Sequence, residues 1–152
     1  MKKLYYLLIA LLLLIISSAN GQSLKDFYKS DSISVLLYAN RIYAESYRLY
    51  EDGNYIKLGE QYNVSRKLNR LFTINERKHL IVGDEGLIID LTIQDSDLTK
   101  SKFVITILPF IENDNLVTVH RIGDFLYIGS DNGNIYKSTN NGSTWEKSNL
   151  SN

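Results

Sequence analysis

The chain contains no cysteine, only one proline and no excess of charge of either sign. Without cysteine it can form no disulfide bridge and can carry no lipid on a cleavage-site cysteine, so burial and hydrogen bonding alone must hold the fold together. The 17 basic residues are matched by 17 acidic ones, a balance without the positive surface that nucleic acid or an anionic membrane requires. The composition therefore argues against a disulfide-rich scaffold and against nucleic acid as a partner.

A long apolar run occurs only at the N-terminus. Two lysines precede the apolar residues 4–16, and small polar residues follow as far as Gly21. This order is typical of a bacterial secretory signal peptide, and the run is shorter than the about 20 residues that span a bilayer. We predict a signal peptide over residues 1–21, cleavage near Gly21 and Gln22, and a secreted or periplasmic protein without stable membrane insertion after cleavage. An uncleaved membrane anchor is the alternative.

The rest of the chain is typical of β structure. It has eleven tyrosines and many β-branched residues, which are enriched in strands. Short runs of alternating apolar and polar residues over 116–148 are separated by turn signals that contain glycine or asparagine, and they predict four strands in a meander over about 115–150. The same order of strands and turns recurs with a less clear sequence pattern over about 68–110 and, least clearly, over about 33–66.

Two of these units can be aligned through their hairpin glycines. The alignment pairs Gly83 with Gly129 and Gly86 with Gly133, at offsets of 46 and 47 residues. Such a period suits a repeat of four short strands. The predicted fold class is therefore all-β, with antiparallel four-stranded meander repeats in one domain over 22–152. An ordinary β-sandwich whose hairpins share common turn residues is the alternative, and the lead-in 23–37 is ambiguous between an amphipathic helix and an entry strand.

A turn near the C-terminus has a specific polar pattern. The Asn140 side chain can accept hydrogen bonds from backbone amides of its own turn, and Ser138 can tie the end of the preceding strand in the same way. Gly142 supplies a positive φ at little cost. Trp145 offers a large apolar ring and an indole N–H that needs one acceptor. These features predict a structural turn that fixes strand register.

The stretch 138–145 resembles the Asp-box, or BNR repeat, of pattern Ser/Thr-x-Asp-x-Gly-x-Thr-Trp. This repeat is found in sialidases, sortilin-type receptors and photosystem II assembly factors, and the glycine hairpins before the turn are similar to those of the assembly-factor type. In these families the repeats form blades of a β-propeller, and the box is usually a structural turn away from the ligand site. Asn140 stands where the families usually have aspartate, which keeps the acceptor and removes the charge.

The resemblance implies an incomplete propeller of about three blades. Propellers typically close with 4 to 8 blades, and an open arc exposes sheet faces that neighbouring blades would cover. Three outcomes follow: a homo-oligomer in which two chains complete six blades, a chain that caps a partner, or a remnant of a longer propeller.

No pattern of residues predicts catalysis. The resemblance to sialidases would imply three arginines, a tyrosine nucleophile with a paired glutamate and an acid/base aspartate, and no arginine here stands in the arginine motif of that family. His79 and His120 lack a second ligand at zinc spacing, and we expect both to be surface or half-buried strand residues. The turns 84–86 and 131–134 lack the pattern of a calcium loop. We therefore predict no catalytic, cofactor-binding or metal-binding residues.

The function that we predict is an exported, non-catalytic binding or assembly module with a protein or carbohydrate partner. Tyrosine is well suited to such contacts, and six tyrosines crowd the first unit, although strand residues of a small sheet are the commoner use of this residue. They are Tyr38, Tyr43, Tyr47, Tyr50, Tyr55 and Tyr62. The alternatives are a fragment of a sialidase-like, glycan-processing propeller enzyme and a small β-sandwich with a structural role at the cell surface.

Overall fold

The computed structural model describes residues 24–30, 33–49, 55–95, 101–108 and 113–148. The predicted signal peptide lies outside these ranges, as do the side chains of Tyr47, Tyr50 and Tyr55. All regular structure within the described ranges is β-strand. No helix there has the length and the hydropathy that a bilayer crossing requires.

Within the described ranges, twelve strands form three antiparallel sheets of four. The first sheet contains β1 (Leu24–Lys29), β2 (Ile33–Tyr38), β3 (Arg41–Leu49) and β4 (Tyr55–Asn63). The second contains β5 (Leu68–Asn75), β6 (Lys78–Gly83), β7 (Ile88–Asp95) and β8 (Ser101–Leu108). The third contains β9 (Leu116–Ile122), β10 (Phe125–Ser130), β11 (Ile135–Ser138) and β12 (Glu146–Lys147).

Within each sheet the strands follow one another in chain order. This arrangement confirms the predicted fold class of all-β, four-stranded meanders that resemble propeller blades. The described part of the ambiguous lead-in contains β1 and most of β2, and no helix. β1 pairs antiparallel with β2 from Leu24 opposite Tyr38 to Lys29 opposite Ser34. Its alternating half-buried and exposed side chains match the two-residue period of a strand at the edge of a sheet.

The hairpins of the second and third sheets share equivalent hydrogen bonds at an offset of 47 residues. The amide of Gly83 bonds to the carbonyl of Leu87 at 3.0 Å, and the amide of Ser130 bonds in the same way to Asn134 at 3.0 Å. Ser130 is therefore the equivalent of Gly83, whereas Gly129 lies one residue earlier. Gly86 and Gly133, 47 residues apart, stay aligned and have φ of 67° and 81°, a backbone conformation that glycine adopts without a steric cost.

The second sheet is covered on both faces. One face packs on the first sheet and the other on the third, and burial stabilises by about 1.5–3 kcal/mol for each large apolar side chain. The cluster between the first and second sheets contains Ile33, Val35, Leu37, Ile42, Ala44, Leu68, Leu71, Ile81, Leu87, Ile89, Leu91, Ile93 and Phe103. The cluster between the second and third sheets contains Leu80, Val82, Ile88, Leu116, Val119, Leu126, Ile128, Tyr136 and Trp145.

Polar contacts also join the first and second sheets. The carboxylate of Asp26 in β1 accepts a hydrogen bond from the amide of Leu71 at 3.1 Å and pairs with Arg70 Nε at 3.3 Å. The hydroxyl of Tyr62 in β4 donates to the carbonyl of Phe103 in β8 at 3.1 Å. Polar contacts thus join β1 to β5 at one edge of the two sheets and β4 to β8 at the other edge. The apolar core lies between these edges.

Candidate functional site

The turn between β11 and β12 is held by its own side chains. Ser138 Oγ accepts hydrogen bonds from the amides of Gly142 at 2.9 Å and Asn140 at 3.4 Å, and it donates to Asn140 Oδ1 at 3.0 Å. Asn140 Oδ1 also accepts from the amide of Thr144 at 2.9 Å, while Asn140 Nδ2 donates to Thr144 Oγ1 at 2.8 Å. The side chains of Ser138 and Asn140 therefore satisfy backbone amides that the turn removes from the strand ladder.

Trp145 and Gly142 connect this turn to the second sheet. The indole Nε1 of Trp145 donates to the carbonyl of Gly142 at 3.0 Å, and its ring is part of the cluster that contains Leu80 of β6. A Cβ atom at Gly142 would lie 2.6 Å from Leu80 Cδ1, so a larger residue here would require the Leu80 side chain to move. Gly142 also has a φ of 84°. The turn is thus a packing element between two sheets.

A second polar cluster surrounds Asp114, which precedes β9 and is only 7% exposed. Its carboxylate accepts hydrogen bonds from Asn132 Nδ2 at 3.0 Å, Asn134 Nδ2 at 2.6 Å and the hydroxyl of Tyr136 at 2.5 Å. Its backbone carbonyl accepts from the amide of Gly86 at 2.6 Å. Asp114 therefore joins the β6–β7 turn of the second sheet to the β10–β11 turn of the third.

The same donors decide the charge of Asp114. Hydrogen bonds from Tyr136, Asn134 and Asn132 hold the pKa of this carboxyl well below its usual range, although burial opposes them. The group is therefore an ionised acceptor at neutral pH. Because its oxygens already accept three side-chain hydrogen bonds, the arrangement suits a structural anchor and does not suit a general acid.

The neighbouring residues extend this turn-to-turn network. Asn115 Nδ2 donates to Asp131 Oδ2 at 2.9 Å, and Asn115 Oδ1 accepts from the amide of Glu85 at 3.3 Å. Asn69 Nδ2 bridges Asp84 Oδ1 at 2.7 Å and the carbonyl of Leu116 at 3.0 Å. In the described part of the chain, no group of three or more histidines and acidic residues has a geometry that could hold a metal ion.

The structure corrects the expectation for His79, which is fully buried and is not a surface or half-buried residue. Its Nδ1 lies 3.1 Å from Thr73 Oγ1, and its ring lies 4.8 Å from that of Tyr28 in β1. Its Nε2 is buried and has no hydrogen-bond partner among the described residues. Burial lowers the pKa of His79 to about 4, although a hydrogen bond with the Glu76 backbone raises it by a smaller amount. The other histidine, His120, is exposed.

A shallow depression of about 320 Å³ lies on β3 and β4 of the first sheet. It is lined by Tyr43, Glu45, Gly59, Glu60 and Gln61. Tyr43 packs edge-on against the buried ring of Tyr38, with centroids 5.6 Å apart. The lining of the depression therefore combines the aromatic ring of Tyr43 with the carboxyl groups of Glu45 and Glu60.

No protein-family model, curated protein or solved structure in the comparisons matches the chain.

The predicted residues and the observed clusters overlap only in part. Ser138, Asn140, Gly142 and Trp145 lie together in one turn, as their spacing in the sequence requires. Asp114 was missed, because its donors follow it by 18 to 22 residues and an isolated aspartate before a strand carries no motif. The available signal was the repetition of amides, with asparagines at 113, 115, 132 and 134, on either side of the predicted strands.

Proposed function

We propose that the chain is an exported, non-catalytic binding or assembly module built of Asp-box-like β-repeats. One observation carries the proposal: the face of the third sheet that points away from the second sheet exposes two large apolar side chains beside two half-buried ones. We call it the outer face of the third sheet and define it by Ile122, Phe125, Tyr127 and Ile135. Ile122 is 66% exposed and Phe125 is 38% exposed. Contiguous exposed apolar side chains of this kind mark protein interaction surfaces.

The polar clusters support the non-catalytic part of the proposal, because their groups have structural roles. Asp114 has the most strongly shifted carboxyl pKa among the described residues and lies between two turns with its oxygens engaged. Ser138, Asn140 and Trp145 form hydrogen bonds within one turn. Perturbed groups in a catalytic cleft would favour an enzyme, whereas these groups serve the packing of sheet on sheet.

Export is proposed from residues 1–21. Sequencing the N-terminus of the purified protein tests this proposal, and Gln22 is expected as the first residue.

The binding surface can be tested in cells that make the protein. A photo-crosslinking amino acid is placed at Phe125 on the outer face, and in a control chain at Ile107, which is 62% exposed on the edge strand β8. The proposal expects a discrete adduct from position 125 and none from position 107. Absence of any adduct at 125, 122 and 127 would contradict a binding role for this face. Hydrolysis of a fluorogenic sialoside by the purified chain would instead support a glycan-processing enzyme.

A further inference from the structure

Two asparagine–glycine pairs lie within the described ranges, Asn132–Gly133 and Asn141–Gly142. This dipeptide cyclises readily, because glycine has no side chain to hinder the approach of its backbone nitrogen to the side-chain carbonyl of asparagine. Both asparagines are exposed. Since the dipeptide and the exposure are the same at the two sites, any difference in their reactivity comes from the surrounding fold.

The fold restrains the pair Asn141–Gly142. The amide of Gly142, whose nitrogen would attack the side chain, is buried and donates to Ser138 Oγ at 2.9 Å. A Cβ atom at Gly142 would lie 2.6 Å from Leu80 Cδ1, so the Leu80 side chain leaves the backbone of Gly142 little room to turn. Cyclisation at Asn141 therefore breaks a buried hydrogen bond and moves a packed segment of backbone.

The pair Asn132–Gly133 lacks both restraints. Gly133 is exposed, and no atom beyond its chain neighbours lies within 4 Å of a Cβ placed on it. Its amide donates to the carbonyl of Ser130 at 3.2 Å, and water can replace this bond in an exposed turn. The side chain of Asn132 is held through Nδ2, which donates to Asp114 Oδ1 at 3.0 Å. The backbone of Gly133 is therefore freer to approach its asparagine than that of Gly142.

We propose that Asn132 is a site of spontaneous deamidation in the folded protein. The backbone nitrogen of Gly133 forms a bond to Cγ of Asn132, and the bond from Cγ to Nδ2 breaks. Nδ2 takes the proton of the Gly133 amide and leaves as ammonia. Water then opens the cyclic imide. Cleavage of the bond between the ring nitrogen and Cγ gives aspartate, and cleavage at the main-chain carbonyl gives isoaspartate. No atom is oxidised or reduced.

The reaction changes the Asp114 cluster. In the aspartate product an oxygen replaces Nδ2, which now lies 3.0 Å from the ionised carboxyl of Asp114, and two carboxylates repel each other at this distance. In the isoaspartate product the main chain of the turn gains one carbon. Because the carbonyl of Asp114 accepts from the amide of Gly86, deamidation weakens the link between the second and third sheets.

Peptide mapping of the full chain after incubation in heavy-oxygen water at mildly alkaline pH tests the site. Trypsin cleaves after Arg121, Lys137 and Lys147, so mass spectrometry reads residues 122–137 and 138–147 separately. In the folded protein, uptake at Asn132 should be roughly tenfold faster than at Asn141, the ratio for a barrier difference of about 1.4 kcal/mol. In urea the two rates should become similar.

Three results of the mapping would overturn the proposal. Asn132 could remain unmodified until the chain is unfolded, or Asn141 could react as fast as Asn132 in the folded protein. A tenfold ratio that persists in urea would show that the neighbouring sequence, and not the fold, sets the rates.

A pair of variants tests the consequence for the Asp114 cluster. Asn132→Asp mimics the aspartate product and should melt at a lower temperature than the wild type at neutral pH. Asn141→Asp is the matched control, because Asn141 Oδ1 accepts from Arg121 Nη2 at 3.3 Å and a carboxylate there faces a cation. We expect the control to melt at or above the temperature of the wild type. Equal melting temperatures for Asn132→Asp and the wild type would contradict the coupling to Asp114.

Discussion

Asn140 illustrates how a single side chain can replace backbone pairing at a turn. Its Oδ1 accepts from the amide of Thr144 and the hydroxyl of Ser138, and its Nδ2 donates to Thr144 Oγ1. Only the last of these bonds requires an amide. A hydroxyl can rotate from acceptor to donor, so the same positions accommodate a carboxylate.

We expect Asn140→Asp to change the free energy of unfolding by less than about 0.5 kcal/mol, because every acceptor is kept and the hydroxyl of Thr144 can donate to the new carboxylate. Asn140→Leu removes acceptor and donor together and should cost about 1–2 kcal/mol. Urea denaturation of the two variants measures the difference. Equal losses in both would show that the turn does not depend on this acceptor.

His79 couples stability to pH. In the folded protein burial lowers its pKa to about 4, whereas an unfolded histidine titrates near 6.5. Between these values the unfolded chain binds a proton that the native protein does not, so stability decreases as the pH falls.

We predict that the wild type loses about 3 kcal/mol of stability through His79 between pH 6.5 and pH 4. His79→Gln keeps a polar group beside Thr73 and cannot titrate, so this part of the pH dependence should disappear. Urea denaturation at pH 7, 5.5 and 4.5 measures it, and His120→Gln, which removes the exposed imidazole, is the matched control. An unchanged slope in His79→Gln would contradict the buried, neutral imidazole.

At the scale of elements, the turns act as contacts between sheets. Gly142 lies against Leu80 of the second sheet, whereas Gly133, with a similar positive φ, has open space around its missing Cβ. A substitution at Gly133 therefore costs backbone strain only, whereas the same substitution at Gly142 costs backbone strain and a steric clash.

We expect Gly133→Ala to lower stability by about 1 kcal/mol through backbone strain alone. Gly142→Ala should lower it by a further 1–3 kcal/mol, since the new methyl group overpacks against the fully buried Leu80. Thermal and urea unfolding of the two variants test this ranking. If the double variant Gly142→Ala, Leu80→Ala shows no coupling between the two changes, the clash is not the cause.

The Asp114 cluster links elements in a different way, through charge. Asp114→Asn would turn an amide donor toward the donors on Asn134, Asn132 and Tyr136, so we expect a clear loss of stability at pH 7. Because the folded carboxyl has a lowered pKa, its contribution is present above the unfolded value of about 3.9 and is lost as the pH falls below it. The variant should therefore lose less stability than the wild type between pH 5 and pH 3. Asp124→Asn, in an exposed turn, is the control.

For the whole molecule, protection should follow the layering of the sheets. Only the second sheet is covered on both faces by other sheets among the described residues, so its inner strands β6 and β7 should show the slowest amide hydrogen exchange. The edge strands β8 and β12 should exchange faster. Exchange measured by mass spectrometry tests this order, and β10 exchanging more slowly than β6 would contradict it.

The sequence predicted what depends on neighbouring residues. Gly123, Gly133 and Gly142 mark tight turns between short alternating runs, and local turn chemistry is enough to predict a meander. Burial depends on distant residues and was predicted less well. His79 was expected at or near the surface, because nothing in its strand shows that a sheet lies over it. Asp114 was missed for the same reason, since its partners belong to a turn beyond the next two strands.

Every described strand pairs only with a strand adjacent to it in the chain, and no strand is shared between sheets. Each sheet can therefore complete its own backbone hydrogen bonds as soon as its last strand has been synthesised. The loops that must close are short, which favours rapid folding. The second sheet then forms against a finished first one, and the third against a finished second. The chain can thus assemble from its N-terminus in steps, with one new apolar face left open at each step.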